Sequence, residues 1–556
     1  MENKRLKLPI GIQTFEDLRK DGYMYVDKTK YLVDLIDTGK IFFLARPRRF
    51  GKSITISTFE ALFSGKKELF KGLYAEEFLN RPDFKPSPVI RLDMSDITTK
   101  KGIEGMDESL LKLTREVAKK LQVEISDTAL AGDLFSELIA ATATQYNQKV
   151  VILIDEYDKP YTDFVNDPDM AEKVRNVLRD YYVRIKAKDE YIRFTFITGI
   201  SKFARFGVFS TLNTPLDISM MQEYAEICGY TEEEIIRYFP DYLDETAQRM
   251  KISTPELIEK MRDYYNGFSF DDEAKVRLYN PYSTLSFFSK KKFSNFWVLT
   301  GKPKLIADYM KGRNLTVEEF RNFPVSNDFL ENPGDMDTTP PEGFLYQSGY
   351  LTLRPGDIDD LSLNYPNTEV LNAMSELVTQ NMLHDKDESY NQCRADLLAG
   401  LKNKNIKPVI DVFNRLLASI PYDDFSGATK QSISNNLYNM KPQEWLFRTG
   451  ILGFLQGCGV VVASEMHSNK GRADLVVSHK GNVWVIELKV AYEGDNVTQK
   501  AEEALRQIID NNYGKPFPNA ICLGLGIDDK ERQIGAFFVR GTEEHTNGGM
   551  GDWTNG

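Results

Sequence analysis

The sequence contains few cysteines and no long run of apolar residues. Its 556 residues include four cysteines, which are widely separated and form no Cys-x-x-Cys pair. Neither a disulfide framework nor a zinc site is therefore predicted, and a reducing compartment fits best. The longest apolar stretches, such as residues 150–154, have the length of a strand and not of a signal peptide or a membrane helix. We therefore expect a cytoplasmic protein without a membrane partner.

An excess of basic residues is also absent. The net charge is -12 at pH 7, which argues against nonspecific coating of nucleic acid but leaves a local basic channel open. The composition, with 42% hydrophobic and 27% charged residues, is typical of globular chains and excludes extensive disorder. A chain of this length exceeds what one hydrophobic core can organise, so several domains are expected.

Between residues 41 and 198, short β-branched or aromatic runs alternate with stretches of helical length. Strands are predicted at residues 41–45, 89–92, 150–154 and 194–197. Amphipathic stretches lie between them at residues 110–121, 134–146 and 171–185. This alternation is typical of a doubly wound α/β fold, in which helices wrap a parallel sheet.

A candidate phosphate-binding loop follows the first of these strands. The segment is Arg46-Pro-Arg-Arg-Phe-Gly-Lys-Ser53, and a helical pattern begins directly after it. In a P-loop, backbone N–H groups and a helix N-terminus hold the phosphates, a lysine neutralises their charge and a hydroxyl ligates Mg²⁺. Gly51, Lys52 and Ser53 fit these roles. Arg46 stands where the usual motif has its first glycine, so the loop must turn without that residue.

Two carboxylates end the third predicted strand. Asp155 and Glu156 follow the apolar run at residues 150–154, as a Walker B element requires. Asp155 is predicted to hold Mg²⁺, and Glu156 to orient or deprotonate the attacking water. Thr198, at the end of the fourth strand, is the candidate sensor of the γ-phosphate. Each motif alone has a purely structural alternative, but their order along the chain predicts ATP binding and favours ATP hydrolysis.

Hydrolysis of ATP also needs an arginine near the transferred phosphate. Arg48 and Arg49 lie within the loop and are candidates for binding the nucleotide. The alternatives are Arg175, Arg179 and Arg205, or an arginine from a neighbouring subunit of an oligomer. The sequence does not choose among them.

Beyond residue 224 the pattern becomes mostly helical. It continues through residues 265–268 and 279–282, which indicates a lid or an accessory region, and a loop is expected at residues 331–342. Residues 361–440 also have helical character. A strand-rich pattern begins near residue 460, so another domain starts before that point.

Acidic and basic residues recur on a predicted hairpin in this last region. Asp474 begins one strand, a turn follows at residues 480–482, and Glu487 and Lys489 lie two residues apart on the next strand. Residues two apart share one face of a strand, so the three side chains are expected to converge. Paired carboxylates and a backbone carbonyl can hold Mg²⁺ or Mn²⁺, while a lysine steadies the nucleophile in phosphodiester hydrolysis. A cross-strand ion pair on an amphipathic hairpin is the structural alternative.

The elements around this hairpin favour the catalytic interpretation. Their order matches the αβββαβ core of restriction-endonuclease-like folds. Glu444 on the first helix, or Glu465 on the first strand, could supply a further carboxylate, and Gln507 lies on the second helix. The predicted elements are a helix at 443–456, strands at 459–465, 472–477 and 483–489, a helix at 498–511 and a strand at 519–525.

Four parts are therefore predicted along the chain. The boundary between the second and the third falls where helical patterns give way to strand-rich ones, between residues 360 and 435. The last part is rich in Gly, Thr and Asn, which predicts a disordered tail. The parts are a P-loop domain at 1–290, a mainly helical accessory region at 291–435, a nuclease-like domain at 436–540 and the tail at 541–556.

These motifs resemble a bacterial family in which an AAA-ATPase-like protein is fused to a PD-(D/E)XK nuclease-superfamily domain. The resemblance spans nearly the whole chain and implies one ATPase-like and one nuclease-like fold. In this family the first glycine of the loop is commonly absent, as it is at Arg46. The segment around Glu444 departs from the family pattern, whereas Asp474, Glu487 and Lys489 match it. Further matching segments are Tyr25-Val-Asp-Lys-Thr29, Ile154-Asp-Glu-Tyr-Asp-Lys-Pro160, Thr198-Gly-Ile-Ser-Lys-Phe203, Tyr265-Asn-Gly-Phe268, Tyr279-Asn-Pro-Tyr-Ser283 and Ser348-Gly-Tyr-Leu-Thr352.

Two functions of different classes are consistent with these motifs. The leading hypothesis is a nucleotide-regulated nuclease, in which ATP gates Mg²⁺-dependent cleavage of nucleic acid, with DNA favoured, in defence or mobile-element biology. The alternative is an ATP-dependent switch whose nuclease-like domain only binds nucleic acid or a partner protein. A third hypothesis, a P-loop that holds nucleotide without turnover, is disfavoured by the paired acids Asp155 and Glu156.

Overall fold

The computed structural model describes most of the chain, which divides into two units. One unit is formed by Met1–Tyr309 with Asn322–Val370, and the other by Met310–Arg321 with Leu371–Gly556. Most of the predicted tail lies outside the described residues. The described residues are 5–128, 130–164, 167–200, 202, 215–299, 306, 317–325, 339–355, 361–382, 387–419, 442–468, 471–517 and 519–541.

A five-stranded parallel sheet organises the first unit. Its strands are β1 (Ile41–Ala45), β2 (Val89–Asp93), β3 (Val150–Asp155), β4 (Ile192–Gly199) and β5 (Leu216–Asp217). They lie in the order β2-β3-β4-β1-β5, and each neighbouring pair is parallel. β3 is buried along its whole length, which explains its uninterrupted apolar run. The predicted α/β fold is confirmed; β2 and β3 are each one residue longer than predicted, and β4 extends two residues further at each end.

The carboxyl ends of β1, β3 and β4 lie at one edge of this sheet. β4 separates β1 from β3, with Leu44 of β1 opposite Thr198 and Ile154 of β3 opposite Ile197. The loop after β1 therefore lies near the acids that follow β3. Ligands of open α/β sheets bind at this edge.

Helices pack against the sheet. The three predicted amphipathic stretches correspond to the helices Gly102–Lys120, Ala131–Tyr146 and Pro168–Ala187, the first of which ends one residue before the predicted stretch. In the described part of the chain before β5, the other α-helices are Phe15–Lys20, Thr29–Thr38, Lys52–Phe63, Ala75–Leu79 and Lys159–Thr162. Short 3-10 helices lie at Lys67–Phe70, Met94–Asp96, Asp189–Tyr191 and Gln222–Ile227.

The helices after β5 have an apolar core of their own. Thr231, Ser253 and Asn280 each cap a helix, because their side-chain oxygens accept backbone N–H groups of the first turn. Buried aromatic residues such as Phe239 and Tyr265 pack between the helices. The predicted helical middle of the chain is thereby confirmed. Among the described residues, the helices that share this core are Glu232–Tyr238, Pro240–Met250, Thr254–Tyr265, Pro281–Lys290 and Phe296–Leu299, and Pro341–Ser348 is a further helix of the unit.

A small antiparallel sheet completes the first unit. Its strands are β6 (Phe323–Val325), β7 (Thr352–Pro355) and β8 (Leu361–Asn364), in the order β6-β8-β7. The helical interpretation of residues 361–440 is wrong for β8. A run of four residues is too short to separate a strand from one helical turn by its apolar pattern, and the pairing with β6 and β7 decides its conformation.

A mixed five-stranded sheet organises the second unit. Its strands are β9 (Val461–Ser468), β10 (Gly471–His479), β11 (Asn482–Ala491), β12 (Ile521–Asp528) and β13 (Gln533–Gly541). The order is β13-β12-β11-β10-β9; β11 and β12 are parallel and the other neighbours antiparallel. The predicted αβββαβ core is confirmed, with β13 as an additional strand that the sequence did not predict.

The helix Val497–Asp510 connects the parallel strands β11 and β12 and packs against both. Two glycines of β12 allow this close approach. A Cβ atom on Gly524 would lie 2.4 Å from the backbone nitrogen of Leu505, and one on Gly526 would lie 2.3 Å from the carbonyl oxygen of Val497.

No helix within the described part of the chain is long and apolar enough to cross a membrane. The other helices of the second unit among the described residues are the 3-10 helix Glu318–Phe320 and the α-helices Thr368–Met382, Asp387–Asn403, Ile406–Ser419 and Pro442–Gly457. The helix Thr368–Met382 begins three residues before Leu371, where this part of the second unit starts.

Candidate functional sites

The loop after β1 contains two residues with left-handed backbone. Arg49 has a φ of 68°, and Gly51, which precedes the helix Lys52–Phe63, has a φ of 100°. A glycine takes this conformation at little cost, whereas a residue with a Cβ loses roughly 1 to 2 kcal/mol. Surrounding contacts must therefore hold Arg49 in place, as is common for strained residues at functional sites.

Lys52 is buried at this loop. Its Nζ donates to the carbonyl oxygens of Arg46 at 2.9 Å and Pro47 at 3.0 Å. Burial lowers the pKa of Lys52, while the nearby carboxylates of Glu156 and Asp155 oppose that change. The ammonium group is therefore held between the loop and the acids after β3, where a phosphate chain would need a positive charge.

Two acids lie at the end of β3, Asp155 as its last residue and Glu156 directly after it, and backbone and hydroxyl groups orient Asp155. Asp155 is 1% exposed, and its Oδ1 accepts the Thr198 hydroxyl at 2.7 Å and the Glu156 backbone N–H at 3.1 Å. Glu156 has a φ of 52°. Its pKa is raised, first by burial, although the charges of Lys52 and Arg48 act in the opposite direction. Asp155, Glu156, Lys52 and Thr198 are thus brought together, with Thr198 bonded to Asp155.

A third acid after β3 was not singled out in the sequence. Asp158 is fully buried, and both of its carboxylate oxygens accept the backbone N–H of Ile200 at 3.2 Å. Asp158 therefore holds the chain that leaves β4. Its proximity to Asp155 in Asp-Glu-Tyr-Asp is the signal that could have identified it.

A cavity of about 450 Å³ opens beside this loop. Its volume lies in the range of small-molecule sites, roughly 300 to 1,000 Å³. Lys52, Ser53 and Glu156 contribute polar groups, whereas Ile12 and Leu285 contribute apolar ones. The cavity can therefore accept a ligand with one charged and one apolar part. Most of its lining residues come from segments 9–13, 24–28, 48–55, 227–230 and 281–285.

The candidate arginines differ in their surroundings. Arg48 and Arg49 are exposed and line the cavity, and the guanidinium of Arg49 lies 4.9 Å from the ring centre of Tyr282. Arg175 instead donates to the hydroxyl of Tyr161 at 2.9 Å. Arg179 lies on the helix Pro168–Ala187, and the alternative Arg205 lies outside the described residues.

The second unit brings two buried acids together across neighbouring strands. Leu475 of β10 pairs with Ile486 of β11, so Asp474 and Glu487 are the next facing positions. Glu487 Oε2 accepts the backbone N–H of Asp474 at 3.1 Å, and Asp474 Oδ2 accepts that of Leu488 at 2.9 Å. The two residues are 5% and 1% exposed. Each carboxylate is therefore oriented by a backbone N–H of the other strand.

Two cations and a third acid surround this pair. Lys489 Nζ lies 4.0 Å from Glu487 and 3.6 Å from Glu444. Arg448 lies one helical turn after Glu444 and is buried, and its charge opposes the rise that burial causes in the pKa of Asp474. The structure therefore brings Glu444, one of the two alternatives, to the candidate site. The side chain of the other, Glu465, lies outside the described part of the chain.

The carboxyl groups of Asp474 and Glu487 have raised pKa values. Burial is the largest cause for both, and for Glu487 the charge of Asp474 comes second. Two like charges without water are costly, so a divalent cation between them would stabilise the ionised forms. Among the residues that the structure describes, no three His, Cys, Asp or Glu side chains are close enough to hold a metal ion. Further ligands would have to be a backbone carbonyl, such as that of Leu488, or water.

Gln507 is a further contact of this pair. Its Nε2 donates to Glu487 Oε1 from the helix Val497–Asp510. The other oxygen of Glu487 accepts the Asp474 backbone N–H. Both oxygens of Glu487 are therefore oriented by hydrogen bonds.

The chain is similar to known families over both sites. Residues 9–209 match an AAA-ATPase-like model, described as a predicted AAA-ATPase, and residues 443–537 match a PD-(D/E)XK nuclease-superfamily model. A relative from Azotobacter chroococcum mcd 1, described as an uncharacterized protein in the vnfD 5' region, is 31% identical over 552 residues. That alignment covers 96% of this chain and 99% of the relative.

Two solved structures show a weaker likeness. The ORC2 protein of Aeropyrum pernix, in ADPNP and ADP complexes, is 11% identical, with a TM-score of 0.25, over 68% of this chain and 97% of its own. Cdc6p from Pyrobaculum aerophilum is 9% identical, with a TM-score of 0.22, over 64% of this chain and 93% of its own. These scores are too low to support any conclusion about this chain.

Proposed function

The chain belongs to the same family as the Azotobacter chroococcum protein and joins an AAA-ATPase-like domain to a PD-(D/E)XK nuclease-superfamily domain, and from this premise we propose a nucleotide-regulated nuclease. The first domain binds and hydrolyses ATP with Mg²⁺. The second cleaves nucleic acid, with DNA favoured, in a reaction that needs Mg²⁺ or Mn²⁺. ATP gates this cleavage, in the cytoplasm and in a setting of defence or mobile-element biology.

The observation that carries the proposal is the buried acid pair Asp474 and Glu487. A purely structural pair of acids at this depth would be expected to have opposite charges close by. Here the two nearby cations, Lys489 at 4.0 Å from Glu487 and Arg448 near Asp474, do not offset burial, and the pKa values of both carboxyl groups stay raised. Carboxylate and carbonyl oxygens are the ligands that Mg²⁺ prefers, so the donor set fits this cation.

The residues around the pair have separate roles in phosphodiester hydrolysis. When bound, Mg²⁺ supplies Lewis-acid stabilisation of the charge on the scissile phosphate. Asp474 and Glu487 would hold the cation at a fixed position, because backbone N–H groups and Gln507 orient their carboxylates. Lys489 presents its ammonium group to the attacking water or to the developing charge. Glu444 keeps Lys489 at the site through their 3.6 Å ion pair.

The first domain uses its charges differently. Lys52 would neutralise the β- and γ-phosphates, and Ser53 and Asp155 would hold the Mg²⁺ that accompanies ATP. Glu156 orients the attacking water or accepts its proton, and burial favours this role because it raises the carboxyl pKa. Thr198 orients Asp155 through its hydroxyl and senses the γ-phosphate through that contact.

Cleavage assays test the proposal. Plasmid, linear and single-stranded DNA and RNA are incubated with wild type, Lys489→Ala and the control Lys530→Ala, with and without ATP, in Mg²⁺ and in Mn²⁺. Lys530 lies on an exposed turn after β12, so its loss should leave cleavage unchanged. Cutting that is lost only in Lys489→Ala establishes the nuclease, and dependence on ATP establishes the coupling. If the wild type cuts none of the substrates in either metal, the nuclease is excluded.

One observation keeps a second function in view. The described residues include no group of three side chains that could hold a metal, so the second domain could bind nucleic acid or a partner protein without cutting. In that case the protein is an ATP-dependent switch. ATP hydrolysis that disappears in Lys52→Ala, together with DNA binding but no cleavage, would identify this alternative.

A further inference from the structure

The start of the phosphate loop is fixed by the residue that replaces its first glycine. Arg46 is buried, and its guanidinium donates to the carbonyl oxygens of Ala45 at 3.0 Å, Ser219 at 2.7 Å and Tyr224 at 3.2 Å. It also lies 4.3 Å from the ring centre of Phe270. Arg46 therefore fixes the start of the loop to neighbouring segments, whereas a glycine at this position would leave it flexible. The conformation of the loop thus depends on the residues around it.

The end of the loop is held by aromatic rings. Phe50 contacts Phe268 and Phe270 edge to face, at centroid distances of 4.8 Å and 5.1 Å. Phe50 is almost fully buried. Phe268 belongs to the segment Tyr265-Asn-Gly-Phe268, which the sequence indicated as part of a lid or accessory region. Its contact with Phe50 shows that this segment also packs against the phosphate loop.

The middle of the loop is held by a hydrogen bond from Trp297. The indole Nε1 donates to the carbonyl oxygen of Arg48 at 3.1 Å. The indole packs on the Tyr350 ring, with 5.0 Å between the ring centres. The backbone N–H of Trp297 donates to Glu369 Oε1 at 2.7 Å. Gly349 completes the contact, because a Cβ there would lie 2.5 Å from Pro47. Trp297 is therefore fixed on several sides while it contacts the loop.

The direction of the Arg48 carbonyl determines that of the next amide. In a trans peptide the C=O of one residue and the N–H of the next lie in one plane and point in opposite directions. The described residues contain no cis peptide. Turning the Arg48 oxygen toward Trp297 therefore turns the Arg49 N–H to the opposite side. Loops that bind phosphate need such inward N–H groups, with their carbonyls directed away.

We propose that Trp297 is a positioning residue for the nucleotide: it holds the Arg48 carbonyl outside the loop and so directs the Arg49 N–H toward the phosphates. The left-handed φ of Arg49 is part of the same arrangement. The inference rests on the proposed binding of nucleotide in the first domain. It gives the segments at 265–268 and 348–352 a defined task, which is to support a phosphate loop that lacks its first glycine.

The test compares two tryptophans that make the same kind of hydrogen bond. Trp297→Phe keeps an aromatic ring but removes the donor to Arg48. Trp484→Phe is the matched control, since the indole of Trp484 donates to the carbonyl of Leu401 at 3.3 Å in the second unit. Dissociation constants for Mg-ADP and Mg-ATP are measured by calorimetry on the full chain, and intrinsic fluorescence and the unfolding midpoint are recorded for each variant.

We expect Trp297→Phe to bind both nucleotides about tenfold more weakly, as the loss of one hydrogen bond implies. The nucleotide-induced change of fluorescence should disappear in this variant and persist in Trp484→Phe. Both variants should lose similar stability, so weaker binding in one alone cannot be a consequence of unfolding. If Trp297→Phe does not fold, Tyr350→Leu, which loosens the packing of the indole, should weaken binding in the same direction.

Wild-type affinity and fluorescence response in Trp297→Phe would overturn the inference and leave the proposed function in place. Equal weakening in Trp297→Phe and Trp484→Phe would also overturn it, because a general loss of stability would then explain both. If the wild-type chain binds neither nucleotide, the proposed function of the first domain fails, and the inference fails with it.

Discussion

The two sites hold buried acids in opposite electrostatic settings. In the first unit, Asp155 and Glu156 lie near the buried Lys52, with Arg48 at the cavity. In the second unit, Asp474 and Glu487 lie against each other, with the partly exposed Lys489 at their edge. After burial, the largest influence on the pKa of Glu156 is the positive charge of Lys52, whereas the largest on that of Glu487 is the negative charge of Asp474. We infer that Lys52 already offsets part of the negative charge at the first site and that a cation between Asp474 and Glu487 completes the second.

The largest expected effect concerns the counter-charges of the first site. Arg48→Ala should lower the turnover number for ATP hydrolysis about a thousandfold, because an arginine near the transferred phosphate contributes that much or more. Arg175→Ala should have little effect, since Arg175 contacts Tyr161. Arg81→Ala, which removes a surface ion pair with Asp37, is the control. The measurement is steady-state phosphate release, and a large loss in Arg175→Ala with none in Arg48→Ala would reverse the assignment.

The second expected effect concerns the cation proposed for the second site. Mg²⁺ at a hundred times its dissociation constant should stabilise the wild-type chain by about 2.7 kcal/mol through linkage. Asp474→Asn should not respond to Mg²⁺, because the variant has lost one ligand and one of the two like charges. The measurement is chemical denaturation without nucleotide, followed by a fluorescence signal from the second unit. Equal responses of the two proteins would contradict the assignment of this cation to Asp474.

Glu369 is a buried acid whose pKa is not shifted by a second carboxylate. Comparing it with Glu487 therefore tests whether burial alone, without a second acid, makes a site respond to a cation. Burial raises the pKa of Glu369 to about 8, against the hydrogen bond from the backbone N–H of Trp297, which lowers it. Because the folded-state pKa lies above the unfolded value near 4.5, stability is fully present below that value and is lost as pH rises toward 8.

Between pH 6 and pH 7.5 the wild type should therefore lose about 2 kcal/mol more stability than Glu369→Gln, whose side chain does not titrate. Denaturation curves at the two pH values measure this difference. Mg²⁺ should not change it, since no second carboxylate is among the groups that shift Glu369. Parallel pH dependence in the two proteins would show that Glu369 is not the group responsible.

The smallest expected effect concerns the orientation of Glu487. Gln507→Leu removes the amide that contacts Glu487 Oε1 and should lower cleavage about tenfold, the lower end for residues that orient metal ligands. Gln499→Leu changes an exposed residue of the same helix and should cleave like the wild type. Initial rates of plasmid cleavage measure the difference. Equal rates in both variants would show that the strand backbone orients Glu487 without help from Gln507.

Much of both folds was predictable because the relevant signals are local. The apolar run of β3 and its terminal acids predicted a buried strand with Asp155 and Glu156 at its end. The spacing of Glu487 and Lys489 predicted their position on one strand facing Asp474. The strands β5, β6, β7, β8 and β13 were not predicted, because short or edge strands depend on pairing partners that are distant in sequence.

The sequence by itself determined the order of the motifs, the α/β and αβββαβ patterns and the identity of the charged residues, since all of these follow from neighbouring residues. Tertiary structure alone decided three further points. It brought Glu444 to Lys489, it placed Asp158 against the chain after β4, and it surrounded the loop at Arg46 with Phe268, Phe270 and Trp297. These contacts join residues up to about 250 positions apart, as in the pair Arg48 and Trp297. Such pairings depend on how complete elements pack, and no local pattern of residues encodes them.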